Sequence, residues 1–299
     1  MSLLAAVLPW SAAQGSGTLK EYVLRRADDF RMIPAAAMKA LEIGRNPACS
    51  VAEYAAAIER DHRLTIDLLG MANSSLFARG APATSLNDAV RRLGMRRCHA
   101  LILSTCTAGL MRSLPFEHAE VREALWRHGY LTAVVCRHLN ETLRLGFSGE
   151  EFTAGLLHDL GRSLLAATVP SRFSAVESDT DEPGADILDR EREALGTDHC
   201  ELGTAFAVRN GLPASLIAVI QHHHRPHEAK ELQKLVAVVA IADHMANRIE
   251  NCPAPEADEE PDNPFISFLA ESDRVRAALD DVTPTMANEA LIEAQRLIA

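Results

Sequence analysis

A histidine and an aspartate stand side by side inside an otherwise apolar run, Ala154-Gly155-Leu156-Leu157-His158-Asp159-Leu160-Gly161-Arg162. Leucines and alanines flank the pair on both sides, and the run reads as an apolar helix. A charge carried into such surroundings is costly unless it is paired or bound to a metal. Imidazole and carboxylate are also good ligands for borderline and hard divalent cations. The pair therefore requires a core able to enclose it, and it directs attention to other ligands along the chain.

The core is available. Of the 299 residues 47% are hydrophobic and only 5% aromatic, with Ala and Leu abundant. That mix favours helices over sheets. No alternating strand pattern occurs, so the expected fold is all-α. The net charge of −11 argues against a nucleic-acid partner, which needs clustered Lys and Arg; it leaves a small nucleotide ligand open. Six cysteines, at positions 49, 98, 106, 136, 200 and 252, form no Cys-x-x-Cys pair. They read as reduced, mostly buried thiols of a cytoplasmic protein. The apolar start, residues 1–10, lacks the basic region of a signal peptide. No apolar run reaches the roughly 18 residues of a membrane span, so no membrane partner is expected.

Helix signals recur along the chain. A short helix is expected within 19–30, after a flexible-looking lead, and another from Pro34 to Gly44. Ser50-Val51-Ala52-Glu53 is a capping box. A helix follows through Leu64, Leu68, Leu69 and Ala72, one from Ser85 to Gly94, and an apolar one over 95–112. The second half predicts a long helix over 116–143. A second capping box, Ser148-Gly149-Glu150-Glu151, launches the helix of the His-Asp pair. Residues 170–183 read as polar and irregular. Helices follow near 185–195, from Asp198 to Gly211, from Pro213 to His222, and over 229–249. Residues 253–264, rich in Pro, Glu and Asp, read as a solvated linker, and short helices over 265–298 close the chain.

Further histidines and acids lie on separate predicted helices. With the central pair they give the order His128, His158-Asp159, His199, His223-His224, Asp243. Such donors suit Fe, Mn, Zn or Ni more than Ca. Asp159 can bridge two cations, with Asp243 and His128 completing one shell and His199, His223 and His224 serving the other. Two ions about 3.5–4 Å apart can activate a water for phosphoester hydrolysis. Each residue also has a plain structural reading. His128 suits a helix surface, His199 a polar helix start, and Asp243 a cap or a partner for Arg248. His222 reads as a surface or supporting group. His62, His99, His118, His138, His227 and His244 are taken as solvent or packing residues.

At these residues the chain resembles the HD superfamily, and more closely its HDOD branch, the HD-related output domain. In the first half the likeness rests on Ile33-Pro34, on Asp61-His62-Arg63-Leu64-Thr65, on Met71-Ala72-Asn73-Ser74-Ser75-Leu76-Phe77 and on Ala89-Val90-Arg91-Arg92-Leu93-Gly94. In the second half it rests on Trp126-Arg127-His128, Leu157-His158-Asp159, Gly211-Leu212-Pro213, His223-His224-Arg225-Pro226 and Ala242-Asp243. The resemblance implies an HD-like helical bundle preceded by an N-terminal helical lobe, and a role in bacterial signalling. It divides the chain into a lead (1–30), the domain (31–250, as lobes 31–115 and 116–250), and an acidic linker with C-terminal helices (251–299). Many HDOD domains have lost the HD ligands and act as non-catalytic regulators; this chain keeps a nearly complete set. It departs from the HD-GYP phosphodiesterases of cyclic di-GMP, since its paired histidines are followed by Arg225-Pro226-His227-Glu228. Arg162 stands where active relatives often carry Lys.

Two functions follow as expectations. The first is a signal-transduction regulator that binds a signalling protein or a small phosphorylated or nucleotide ligand, with a divalent metal, as one ion or a pair, bracing the helices. The alternative is a metal-dependent phosphohydrolase in which Asp159 and Arg162 are catalytic, Arg162 holding phosphate. Self-association is compatible with either.

Overall fold

The computed structural model describes residues 17–28, 35–43, 46, 48–73, 80–178, 186–251, 263–269 and 272–298, and among these every regular element is helical. The expected Pro34 helix start, most of the Asn73-Ser74-Ser75-Leu76-Phe77 motif, Asp179, Asp181, Glu182 and most of the acidic linker lie outside the described residues.

The N-terminal lobe is built from α2 (Ala35–Ile43), α3 (Val51–Ile58), α4 (His62–Ala72), α5 (Leu86–Leu93) and α6 (Met95–Ser113). The Ser50 capping box forms as read: the Ser50 hydroxyl accepts from the Glu53 backbone, and the Glu53 carboxylate accepts from the Ser50 backbone. Ser85 caps α5, which stops at Gly94, where φ is +77°. Tyr54, Ile58, Leu68, Leu86 and Ile102 are buried in the core of this lobe.

The helix α1 (Leu19–Ala27) precedes this lobe in sequence, yet it packs on the other one. Thr18 and Glu21 close its capping box, and Leu19, Val23, Leu24 and Ala27 are buried. Its neighbours are α9 (Leu160–Thr168) and α12 (His199–Arg209), with Lys20 paired to Glu201 at 2.5 Å.

The second lobe centres on α7 (Ala119–Leu143), which packs against α8 (Glu150–Leu157) and α14 (Gln233–Asn251). Around them lie α10 (Pro170–Ser178), α11 (Ile187–Leu195) and α13 (Ala214–His222). The close approach of α8 to α7 needs Gly155, whose Cβ, if present, would lie 2.8 Å from Ala133 Cα. The C-terminal helices α15 (Ser272–Asp280) and α16 (Pro284–Ile298) also belong to this body. Trp126 Nε1 donates to the Ala294 carbonyl at 2.7 Å, and Ala290 and Ala294 are buried. The lobes meet where α6 crosses α8, with Thr153 Oγ1 donating to the Ala100 carbonyl at 3.0 Å.

Three local expectations are corrected. The apolar run is not one helix: α8 ends at Leu157, α9 starts at Leu160, and Asp159 takes φ −95°, ψ +24° at the join. Residues 170–178 are helical rather than irregular, because Phe173 and Val176 bury one face. Ser148 does not cap α8. Gly149 holds the N-cap position with φ +105°, and the buried Glu151 carboxylate accepts from its N–H at 2.8 Å. Among the described residues no helix is long and apolar enough to cross a membrane.

Candidate metal centre

The helix break at His158-Asp159 turns both side chains toward one point. There they meet donors from other elements. His128 comes from the middle of α7, His199 from the first turn of α12, His223 and His224 from the turn that follows α13, and Asp243 from the middle of α14. All seven residues singled out as ligands therefore converge, although more than a hundred positions separate the first from the last.

The two oxygens of Asp159 face two groups of donors. Oδ1 lies 3.4 Å from His199 Nε2 and 3.5 Å from His223 Nε2. Oδ2 lies 3.6 Å from His158 Nε2 and 3.9 Å from His128 Nε2. Asp243 Oδ1 approaches His128 Nε2 at 3.0 Å and His158 Nε2 at 3.6 Å. In the other group His224 Nε2 and His223 Nε2 lie 3.2 Å and 3.4 Å from His199 Nε2.

Ring nitrogens on the far sides are held by acceptors. His158 Nδ1 donates to the Gly155 carbonyl at 2.7 Å, and His223 Nδ1 to the Val219 carbonyl at 3.1 Å. His199 Nδ1 faces Glu191 Oε2 at 2.7 Å. Such bonds set the tautomer that leaves Nε2 as a lone-pair donor. His158 Nε2 is buried and has no hydrogen-bond partner among the described residues. An unsatisfied buried polar atom is expensive unless something else occupies its lone pair. The residues thus fit a metal ion, and the cluster holds donors enough for one.

The electrostatics are those of a site that favours positive charge. Burial pushes the Asp159 carboxyl up, but His158, Arg162, His223 and His199 outweigh it and hold the group well below the usual carboxylate range. Burial acts the same way on Asp243 and is overcome by His128 and His158. Burial pulls His128 down, while Asp243 and Glu250 raise it to about 10. His224 is driven to about 2 by burial and by its neighbours His223 and His199. Imidazoles crowded this closely cannot all carry protons, so at least one keeps a free lone pair.

A cavity of about 610 Å³ opens onto His128, Asp159, Arg162, His224 and Asp243. Arg162 sits at its wall but is engaged, 2.5 Å from Glu177 and 3.6 Å from Asp159. His222 stays outside the cluster, its Nδ1 3.4 Å from Glu228, in line with its reading as a surface or supporting group. Asp243 does not serve as a cap; Asn247 Nδ2 donates to it at 2.7 Å.

Sequence reasoning missed Glu191, Cys200, Asn247, Glu250 and Glu177. A signal existed for Glu191, which shares the buried stripe of α11 with Leu188 and Leu195 at helical spacing. Asn247 lies one helical turn from Asp243 and Cys200 beside His199, so spacing alone could have offered both; Glu177 and Glu250 depend on contacts between different helices.

The chain matches the HDOD domain model over residues 31–226. It is 28% identical over 224 residues to an uncharacterized protein of Treponema pallidum (strain Nichols), covering 73% of this chain and 42% of that relative. The chain thus spans less than half the length of that relative. A crystal structure of an HDOD domain protein from Geobacter sulfurreducens superposes with a TM-score of 0.68 at 24% identity, over 94% of this chain and 96% of the other. A candidate phosphohydrolase from Shewanella amazonensis SB2B gives 0.69 at 23%, over 95% and 100%. A candidate metal-dependent phosphohydrolase from the same organism gives 0.56 at 16%, over 94% and 98%. At these identities the likeness establishes the fold. With a family match over most of its length, the chain belongs to the HDOD family.

Proposed function

We propose that this chain is a metal-dependent phosphohydrolase acting on a small phosphoester or nucleotide, with two divalent ions held at the Asp159 cluster. One observation carries the reading: the two oxygens of Asp159 face two separate donor sets at the floor of an open cavity. His128, His158 and Asp243 complete one set, and His199, His223 and His224 the other. The donors suit Fe, Mn, Zn or Ni. Bound divalent ions supply Lewis-acid charge for phosphoryl oxygens.

The chain's own residues do the rest. Asp159 and Asp243 concentrate negative charge that a cation offsets. Glu191 fixes the ring of His199. Leu125, Val121 and Phe173 line an apolar wall suited to the organic part of an ester. Arg162 lies beside the cluster, where a guanidinium can bind phosphate in two-pronged fashion once it exchanges its contact with Glu177.

A second reading, the regulator favoured by the sequence, is supported by that same contact. Arg162 is already paired, and Asp159, Glu177, Asp243 and Glu250 give the cavity an acidic lining. On that reading the metal braces α7, α12, α13 and α14, and a signalling partner or ligand reads the result. Metal analysis of the purified chain, followed by a phosphomonoester and phosphodiester screen with Mn²⁺ or Fe²⁺, separates the two. The hydrolase reading expects turnover that is lost in Asp159→Asn. Bound metal without turnover on any substrate class favours the regulator.

A further inference from the structure

The group of three histidines has a fourth neighbour. Cys200 Sγ lies 3.5 Å from His199 Nε2 and 3.9 Å from His223 Nδ1. The donor atoms of His199, Cys200, His223 and His224 all lie within 4.8 Å of one another. Consecutive residues on a helix do not normally face each other. His199 and Cys200 are consecutive at the start of α12, so both side chains must turn to bring their tips to one point.

The three distances that meet at His199 Nε2 match edges of a coordination shell. With zinc–nitrogen bonds of about 2.0–2.1 Å and a zinc–sulfur bond of about 2.3 Å, a tetrahedron has N···N edges of roughly 3.4 Å and N···S edges of roughly 3.6 Å. His199–His224 at 3.2 Å, His199–His223 at 3.4 Å and His199–Cys200 at 3.5 Å fall near those edges. The group is also enclosed: His199, His223 and Cys200 are buried, only His224 among the four lines the cavity, and Asp159 Oδ1, 3.4 Å from His199 Nε2, stands beside them as a fifth donor. Buried sulfur donors are the mark of tightly held zinc sites.

We propose that Cys200 is a thiolate ligand of the ion held by His199, His223 and His224, and that it tunes this position toward zinc or ferrous iron over manganese or magnesium. The proposal rests on the metal-centre reading above. Soft sulfur donors favour the former ions, and oxygen-rich sets the latter. Ligation breaks the S–H bond, forms the sulfur–metal bond and releases one proton to solvent; no oxidant is involved. The His128–Asp243 group, which faces the cavity and has no sulfur, remains the harder and more exchangeable position.

Cobalt(II) is the test probe, added to the metal-stripped full-length chain. The expected spectrum has ligand-field bands in the visible and a thiolate-to-cobalt charge-transfer band in the near ultraviolet. Cys200→Ser should lose the second and keep the first. Its zinc affinity should fall about tenfold or more while manganese affinity is unchanged. Ligand-field bands without a charge-transfer band in the unaltered chain overturn the thiolate assignment and leave the metal centre standing; so does a charge-transfer band that survives in Cys200→Ser. Failure to bind cobalt at all overturns both. If the variant does not fold, X-ray absorption of the zinc-loaded unaltered chain decides: a sulfur shell near about 2.3 Å supports the assignment, and a shell of nitrogen and oxygen alone overturns it.

Discussion

One oxygen of Glu191 receives both polar hydrogens of His199, the backbone N–H at 2.8 Å and the ring Nδ1 at 2.7 Å. That carboxylate therefore orients the imidazole and keeps its Nε2 directed at Asp159. Glu191→Ala should lower metal affinity by about 10–100-fold, as loss of a supporting carboxylate typically does. Competition against a chelating dye measures it. Unchanged affinity would show that the pair is only structural.

Metal binding should also be folding energy. At a free metal concentration near 100 times Kd, binding contributes about 2.7 kcal/mol. A chelator should therefore lower the Tm of the unaltered chain by calorimetry and leave Asp159→Asn almost unmoved. An equal chelator effect on both would place the stabilising ion elsewhere.

Gly161 lies where α9 meets the start of α12. A Cβ there would run into the backbone carbonyl of His199, and the facing Gly203 is crowded too, its own Cβ position 3.0 Å from the Gly161 backbone nitrogen. The carbonyl cannot yield without shifting His199. Gly161→Ala should cost about 2–3 kcal/mol through overpacking and weaken metal binding at the same time. Denaturant unfolding and metal titration test the pair of effects; stability loss with intact metal affinity would show that His199 is not displaced.

Arg162 is held by Glu177 in a partly exposed ion pair. Such a pair is worth only about 0.5–1 kcal/mol. Glu177→Gln should free the guanidinium and tighten binding of inorganic phosphate roughly two- to fivefold, measured by calorimetric titration. Weaker binding in the variant would show that Glu177 positions Arg162 instead of competing for it.

The Ser50 capping box gives α3 a defined pH response. Hydrogen bonds from the Ser50 backbone and hydroxyl lower the Glu53 pKa. A lowered carboxyl stabilises the fold above its unfolded value of about 4.3 and loses that effect as pH falls through the folded value. Amide exchange at the start of α3 should therefore be slower than in Ser50→Ala at neutral pH. The gap should narrow as pH falls through the lowered Glu53 value but not close, because the Ser50 hydroxyl still accepts from the Glu53 backbone; equal rates at pH 7 would remove the box as a stabilising element.

The helices were legible because their signals are local. Ser50, Ser85 and Asp198 accept from backbone N–H groups at their own helix starts, and Gly94 and Gly196 end helices at positive φ. The residues that meet at Asp159 were legible as a candidate set because they are chemistry-bearing types spaced over separate helices. The break between α8 and α9 was not, since Leu157 and Leu160 are apolar and buried like any helix interior. Nor was the tie between Arg162 and Glu177, which depends on how α10 packs back on α9. The docking of α1 against α9 and α12 spans nearly the whole domain, and no local pattern announces it.

Five of the seven donors, His158, Asp159, His199, His223 and His224, occupy the seams where one helix gives way to the next; only His128 and Asp243 ride mid-helix. The scaffold, by contrast, is cemented by hydrocarbon along α7, α8 and α14. Shape and candidate donors are thereby stored in different parts of the polypeptide. Substitutions at a few corners would strip the cluster and leave the silhouette intact.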